Sequence, residues 1–204
     1  MPSQLERAVA VMDRLRSPGG CPWDAEQTHT TLARYLLEET YEVLEAIETD
    51  DRGLLREELG DLLLQVLFHA RLAEEQADPY SIEDVAGDLV EKLIRRHPHV
   101  FAARAVTDAA AVNENWERQK IEEKGRTSAL DGVPLGQPAL ALAAKLVARV
   151  ERAGLDVVPG SDDEIGERLF AVVRDAVAAG VDPEGALRRT TRAYRAAIVS
   201  VEQS

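Results

Sequence analysis

Apolar residues recur along this chain at intervals of three and four, and nowhere alternate over the four to eight positions of a half-buried strand. That pattern restricts the fold to an all-α architecture. Leu5, Val9, Met12 and Leu15 set a short first helix that stops at Ser17-Pro18-Gly19-Gly20, and Cys21-Pro22-Trp23-Asp24 reads as a loop. A second helix is expected over Thr30–Glu48, ending at the polar turn Thr49–Gly53, and a third over Leu54–Gln76, closed by Asp78-Pro79. Ser81, with Asp84 three residues on, has the spacing of a capping box for a fourth helix that Pro98 stops. A fifth is expected over Asp108–Lys124. The stretch Gly125–Pro138 holds three glycines and two prolines and reads as a linker, followed by two or three helices over Ala139–Ala153, Ser161–Ala179 and Pro183–Val201.

Charge removes several classes of partner. With 24 Lys+Arg against 37 Asp+Glu the formal net charge is −13, which repels phosphodiester backbones and anionic bilayers and argues against bulk nucleic-acid binding. No run of about 18 apolar residues is present to span a membrane, and MPSQLERAVA lacks the basic start and apolar run of a signal peptide. Cys21 is the single cysteine, so neither an internal disulfide nor a cysteine-rich zinc site can form. A cytoplasmic location is the expectation.

A weak internal repeat is visible. Glu57-Glu58-Leu59-Gly60-Asp61-Leu62-Leu63-Leu64 returns as Asp163-Glu164-Ile165-Gly166-Glu167-Arg168-Leu169-Phe170, and Asp78-Pro79 returns as Asp182-Pro183 at nearly the same offset. A duplicated unit whose second copy has drifted explains both.

Most helical glutamate clusters in so acidic a chain are solvated faces. Placing residues at about 100° per step tests this for the second and third helices. Glu39 falls at the edge of the apolar arc of the second helix with Glu42 one step further round, whereas Glu38 and Glu45 point away. On the third helix, Glu58 and Asp61 fall inside an arc built by Leu54, Leu55, Leu59, Leu62, Leu63, Val66, Leu67, Phe68 and Leu72, together with Gln65 and His69. Carboxylates buried there without a positive partner would be expensive or protonated. The short turn near residue 50 makes the two helices antiparallel, so residues at one level have numbers adding to about 100. Glu42 then faces Glu58, and Glu39 faces Asp61. Four carboxylates converging from i,i+3 spacings form an oxygen-only set suited to Mg²⁺ or Mn²⁺. A di-iron carboxylate bundle would need two Glu-x-x-His pairs, and Glu26-Gln27-Thr28-His29 is the one such spacing present.

Cys21-Pro22-Trp23-Asp24 with Gln27-Thr28, Leu37-Glu38-Glu39-Thr40-Tyr41-Glu42, Glu57-Glu58-Leu59-Gly60-Asp61-Leu62-Leu63, Arg95-Arg96-His97-Pro98-His99-Val100-Phe101 and Trp116-Glu117 together resemble the MazG-type nucleoside triphosphate pyrophosphohydrolases. The likeness is dense over Leu5–Lys124 and looser through Ser128–Pro134 and Arg152–Asp156. It implies the all-α NTP pyrophosphatase fold of antiparallel helix pairs and a four-helix bundle. It also implies Mg²⁺-dependent hydrolysis of NTPs or dNTPs to monophosphate and pyrophosphate, and assembly as a homodimer or higher homo-oligomer. Carried over by position, the metal ligands are Glu39, Glu42, Glu58 and Asp61, with Glu38 as an accessory that orients the attacking water. Longer members carry two such units. Here only eight residues separate Gly154 from Asp163, too few for a second copy of the Thr30–Glu48 helix, and Glu167 stands where the first copy has Asp61. The expected organisation is therefore a catalytic domain over 1–124, a linker over 125–138 and a degenerate second copy over 139–204 that packs or oligomerises.

Lys92, Arg95 and Arg96 close the fourth helix, where cations complement the macrodipole irrespective of function. Lys92 and Arg96, at i and i+4, also suit triphosphate oxygens left uncompensated by metal, with Arg95 beside them. Trp116 is a candidate for stacking on the base, with Lys120 one turn on, and a lone helical Trp is equally a core or interface residue. Trp23 reads as a loop anchor first and a pocket wall second; His97 and His99, flanking a helix-stopping proline, read as structural. Neither G-x-x-x-x-G-K nor G-x-G-x-x-G is present, so metal and basic side chains must hold a nucleotide. The expected chemistry is water attack at the α-phosphorus, one site per chain. The alternative is a non-catalytic helical module that senses nucleotides or binds a partner.

Overall fold

The structure, a computed structural model, describes residues 1–102, 128–158, 160 and 163–204. These form nine helices and no strand, and the chain divides into two compact units, Met1–Val112 and Asn113–Ser204. The helix expected over Asp108–Lys124, with Trp116 and Lys120, lies outside the described residues.

In the first unit, α1 (Gln4–Arg16) starts at a capping box in which the Ser3 side chain accepts from the Glu6 N–H. Gly19 adopts φ +75°, and a Cβ on Gly20 would meet the Leu15 carbonyl oxygen at 2.1 Å, so this tight reversal demands the Gly-Gly pair. The Cys21-Pro22-Trp23-Asp24 segment is not a loop. It forms a one-turn helix, α2 (Pro22–Glu26), because proline at the first helical position has its φ preset and gives up an N–H that would be unpaired there. Arg16 donates to the Asp24 carbonyl and so ties α2 back to α1.

The long helices α3 (His29–Glu48) and α4 (Arg52–Ala73) are the main pair. Thr28 caps α3, and the Asp51 side chain caps α4 by accepting from the N–H groups of Gly53 and Leu54 at 2.9 and 3.0 Å. Between them Asp50 sits at φ +54°, a left-handed conformation that aspartate tolerates better than most residues. The Asp51 N–H reaches back to the Ala46 carbonyl at 3.1 Å, closing α3 and reversing the chain. Then α5 (Ile82–Arg96) begins at the Ser81–Asp84 capping box read from the sequence, and α6 (Pro98–Phe101) adds a single turn that the periodicity did not reveal. Met12, Leu32, Leu67, Phe68 and Leu72 form the core, joining α1, α3 and α4, with Ala8, Val9, Tyr35, Leu63 and Ile82 packed around it. Ion pairs Arg16–Glu75 and Arg71–Asp13, at 2.9 and 2.8 Å, fasten α1 to the far end of α4.

The apolar arc of α4 is buried over only part of its width. Leu59, Leu64 and Val66 are exposed, because α3 and α1 cover one side and α5 meets only part of the remainder.

The second unit contains α7 (Ala139–Arg152), α8 (Glu164–Ala178) and α9 (Pro183–Glu202), preceded over residues 128–138 by turns without helix. Asp163 caps α8, whereas Glu57, its counterpart in the repeat, already lies inside α4. The repeated motif thus lies at the very start of α8 but more than one turn into α4. Val147 of α7 and Val173 of α8 are buried. Among the described residues no helix is long and apolar enough to cross a membrane.

Candidate metal centre

The register of α3 against α4 is fixed at two levels. At one, Nδ1 of His29 and Nδ1 of His69 are 2.7 Å apart, with ring planes within 4° and centroids 5.0 Å apart. Those values describe near-parallel rings in hydrogen-bonding contact, with the donor set by the tautomers. At the other level, one ligand atom each from Glu39, Glu58 and Asp61 lie within 4.8 Å of one another. The spacing rule derived from the short turn therefore operates along the whole pair, and it also locates the His29–His69 contact, which sequence reasoning missed although the same arithmetic reaches it.

The carboxylate set differs from the expected one in two respects. All four residues point into one region, but burial is uneven: Glu58 is buried, Glu39 and Asp61 are half-buried, and Glu42 is exposed. Glu42 stands at the rim, within side-chain hydrogen-bonding reach of both Glu39 and Glu58, and is not part of the 4.8 Å set. A contact between two carboxyls requires a proton on one of them. The second respect concerns how these carboxyls are charged. Among the described residues, the influences on Glu39 and Glu58 come from burial and from acidic neighbours. Burial is the largest cause raising the Glu39 carboxyl above its ordinary range, followed by the Glu42 hydrogen bond and the charges of Asp61, Glu42 and Glu58. The Glu58 carboxyl is likewise raised, first by burial and then by the charges of Glu42, Asp61 and Glu57. Like charges held together without a counter-charge are what a cation site presents when viewed through its protein atoms alone.

Oxygen-only donors favour a hard divalent cation. Around Mg²⁺, with bonds near 2.0–2.1 Å, opposite ligands stand about 4.2 Å apart; a set no wider than 4.8 Å closes to that span by small side-chain rotations. The residues present fit such an ion. In the second unit Glu164 and Glu167, counterparts of Glu58 and Asp61, are both exposed, and among the described residues the Glu39–Glu58–Asp61 group is the one that gathers three potential ligands.

The other sequence candidates are dispersed. Glu38 is exposed on α3, outside the cluster. Lys92, Arg95 and Arg96 occupy the last turns of α5, which packs on α4; Lys92 is half-buried, Arg95 exposed and Arg96 buried. His97 caps α5, its Nδ1 2.7 Å from the Leu93 carbonyl, in keeping with a structural part, and its ring lies against that of His99. Trp23 does anchor its segment, packing edge-to-face on Tyr35 and Phe68 with centroids 6.0 and 6.5 Å apart, and half of it stays exposed.

Comparisons with known proteins converge on the same helices. Residues 27–101, which carry all four carboxylates together with α5, match the family described as the MazG nucleotide pyrophosphohydrolase domain. A nucleoside triphosphate pyrophosphohydrolase of Mycolicibacterium smegmatis is 46% identical over 205 residues, covering 98% of this chain, which spans 59% of that relative. One of Escherichia coli K12 is 44% identical over 186 residues, or 88% of this chain and 70% of the relative. The nucleoside triphosphate pyrophosphohydrolase/pyrophosphatase MazG of Thermotoga maritima is 38% identical over 215 residues, or 93% of this chain and 82% of the relative. With the acidic helix pair lying inside the matched segment and the likeness running along nearly its whole length, the chain belongs to the MazG nucleotide pyrophosphohydrolase family.

Proposed function

We propose that this chain performs the reaction of its family, hydrolysis of nucleoside triphosphates to nucleoside monophosphate and pyrophosphate, at the Glu39–Glu58–Asp61 cluster with Glu42 completing it. The observation that carries this is the gathering of three carboxylates within 4.8 Å from facing helices, two of them raised by burial and by their acidic neighbours among the described residues. These four residues would hold Mg²⁺, or Mn²⁺ in its place, and such an ion lowers the pKa of bound water and neutralises phosphate oxygens. Glu39 and Asp61 come from opposite helices, so the rigid α3–α4 pair sets the distance between them and the site needs little reorganisation as substrate arrives. Glu42, at the exposed rim, can swing inward once positive charge is present and its carboxyl contacts are released. Glu38, on the solvent side, is the residue we assign to orienting the attacking water. Lys92 and Arg96, with Arg95, would bind the outer phosphates, and Trp116 and Lys120 the base and sugar.

The finer organisation follows from the same reading. The α1, α3, α4 and α5 helices form the bundle of the NTP pyrophosphatase fold within a catalytic domain over 1–124. Residues 125–138 serve as a linker, and 139–204 are a shortened second copy without a site. The exposed Leu59, Leu64 and Val66 on α4 suit a homodimer. The test is pyrophosphate release from NTPs with Mg²⁺: the wild-type chain releases it, and Asp61→Asn reduces the rate at least a hundredfold. Equal rates for the two proteins would refute the assignment.

A further inference from the structure

The C-terminal helix is packed along its first half only. Pro183 and Gly185, in the first turn of α9, are buried, whereas every residue from Ala193 to the end of the helix is exposed. A helical stretch that short is marginal in water unless something packs on it, and its surface is not polar. Leu187, Tyr194, Ile198 and Val201 recur at intervals of seven, four and three, the spacing of a coiled-coil seam, and stand 41–75% exposed. The α8 helix carries a matching feature. Ile165, Leu169 and Val172, at intervals of four and three, are 54–64% exposed, while Val173 turns inward and is buried. The two helices touch within one chain, yet both seams stay open, so neither covers the other. Apolar stripes of this kind are ordinarily covered.

We propose that the second unit is a self-association module, in which α9 of one chain packs on the α8 seam of a second copy and the second copy returns the same contact. Charge favours this occupant. The α9 helix holds four arginines against two glutamates, although the chain as a whole carries −13. At about 100° per residue, Arg188, Arg192 and Arg195 fall along one flank of the α9 seam. On α8 it is Glu164 and Asp175 that border the seam, with Arg168 between them. A basic seam thus meets a net acidic one, and a two-fold axis closes both at once. Seven side chains at these exposures offer on the order of 700 Å² per protomer, against the ~800 Å² per partner of a standard stable interface. Anionic bilayers and nucleic acids are repelled by the rest of the chain. The contact is separate from the catalytic assignment and from the exposed residues of α4.

The test joins sedimentation equilibrium to cross-linking between chains. Ile198→Asp places a charge in the α9 seam and should weaken self-association at least about tenfold, with Tm unchanged because the side chain is exposed in the single chain. Ile165→Asp, on α8, should do the same from the other side of the contact. For cross-linking, Val172→Cys and Thr191→Cys are made separately in a Cys21→Ser background, co-expressed under different tags and treated with a flexible bismaleimide. Pairs joining the two tags should form far more readily than pairs within either protein alone, and adding Ile198→Asp to the Thr191→Cys chain should abolish them. A wild-type chain that sediments as a monomer overturns the proposal. So does association that both aspartate variants leave intact while Leu64→Asp disrupts it, which would confine self-association to α4. Cross-linking no greater between the two tags than within each also overturns it.

Discussion

Replacing Glu39 by Gln should stabilise the chain when no metal is present and destabilise it relative to wild type when Mg²⁺ is added. Glu39 and Asp61 offer ligand oxygens no more than 4.8 Å apart, at which two full charges repel by about 0.9 kcal/mol in water and about 3.5 kcal/mol at an effective dielectric of 20. Glu39 is half-buried, so the screened end applies, and relief of this pair contributes on the order of 1 kcal/mol. For a chain of this size that corresponds to a rise in Tm of about 2–4 °C in EDTA. Mg²⁺ at a hundred times its Kd stabilises wild type by about 2.7 kcal/mol. A variant whose affinity has fallen a hundredfold gains only about 0.4 kcal/mol by the same relation, so the order of the two proteins reverses. Thermal unfolding of both, with EDTA and with Mg²⁺, reads this directly. A Glu39→Gln protein less stable than wild type in EDTA, or an equal Mg²⁺ shift in both proteins, would refute the reasoning.

Further outcomes follow from the same geometry. Because the Glu39 and Glu58 carboxyls are raised by burial and by their acidic neighbours, the native state holds protons that the unfolded chain has released. Stability in EDTA should thus fall as pH rises from the ordinary carboxylate range through the raised native values, and Mg²⁺ should flatten that slope in urea titrations. His69 is lowered by burial first and then by the His29 charge, so the unfolded chain takes up the proton more readily; stability should be lost as pH falls below about 6.5, and His69→Phe should remove that loss in the same titrations. Leu32, 1% exposed between α1 and α4, should cost about 2–5 kcal/mol on change to Ala, measured by chemical denaturation. Asp51→Ala removes the cap that accepts from both Gly53 and Leu54 and should cost about 1 kcal/mol by the same method.

Much of this was legible before any coordinates. Periodicity and capping residues place the long helices to within a few residues, because Ser81 with Asp84 and the polar turn near residue 50 state their own boundaries in side-chain chemistry. The antiparallel register followed from one short turn, and with it the facing of Glu39 with Asp61. What stayed hidden depends on neighbours that local pattern does not encode. The α2 helix is a single turn, too short for periodicity, and only the placement of Pro22 signals it. Glu42 shares its helix face with Glu39, yet its exposure depends on where the α3–α4 groove opens. Leu59 and Val66 look like core residues on a helical wheel, yet both are exposed.

The most direct test of the central claim is where solvent oxygen goes. Wild-type protein hydrolysing ATP with Mg²⁺ in ¹⁸O-labelled water should place the label in AMP and leave pyrophosphate unlabelled, with Glu58→Gln and Asp61→Asn forming almost no labelled product. Label in pyrophosphate, release of orthophosphate as the first product, or labelling at the wild-type rate by either variant would contradict attack at the α-phosphorus by way of the carboxylate cluster.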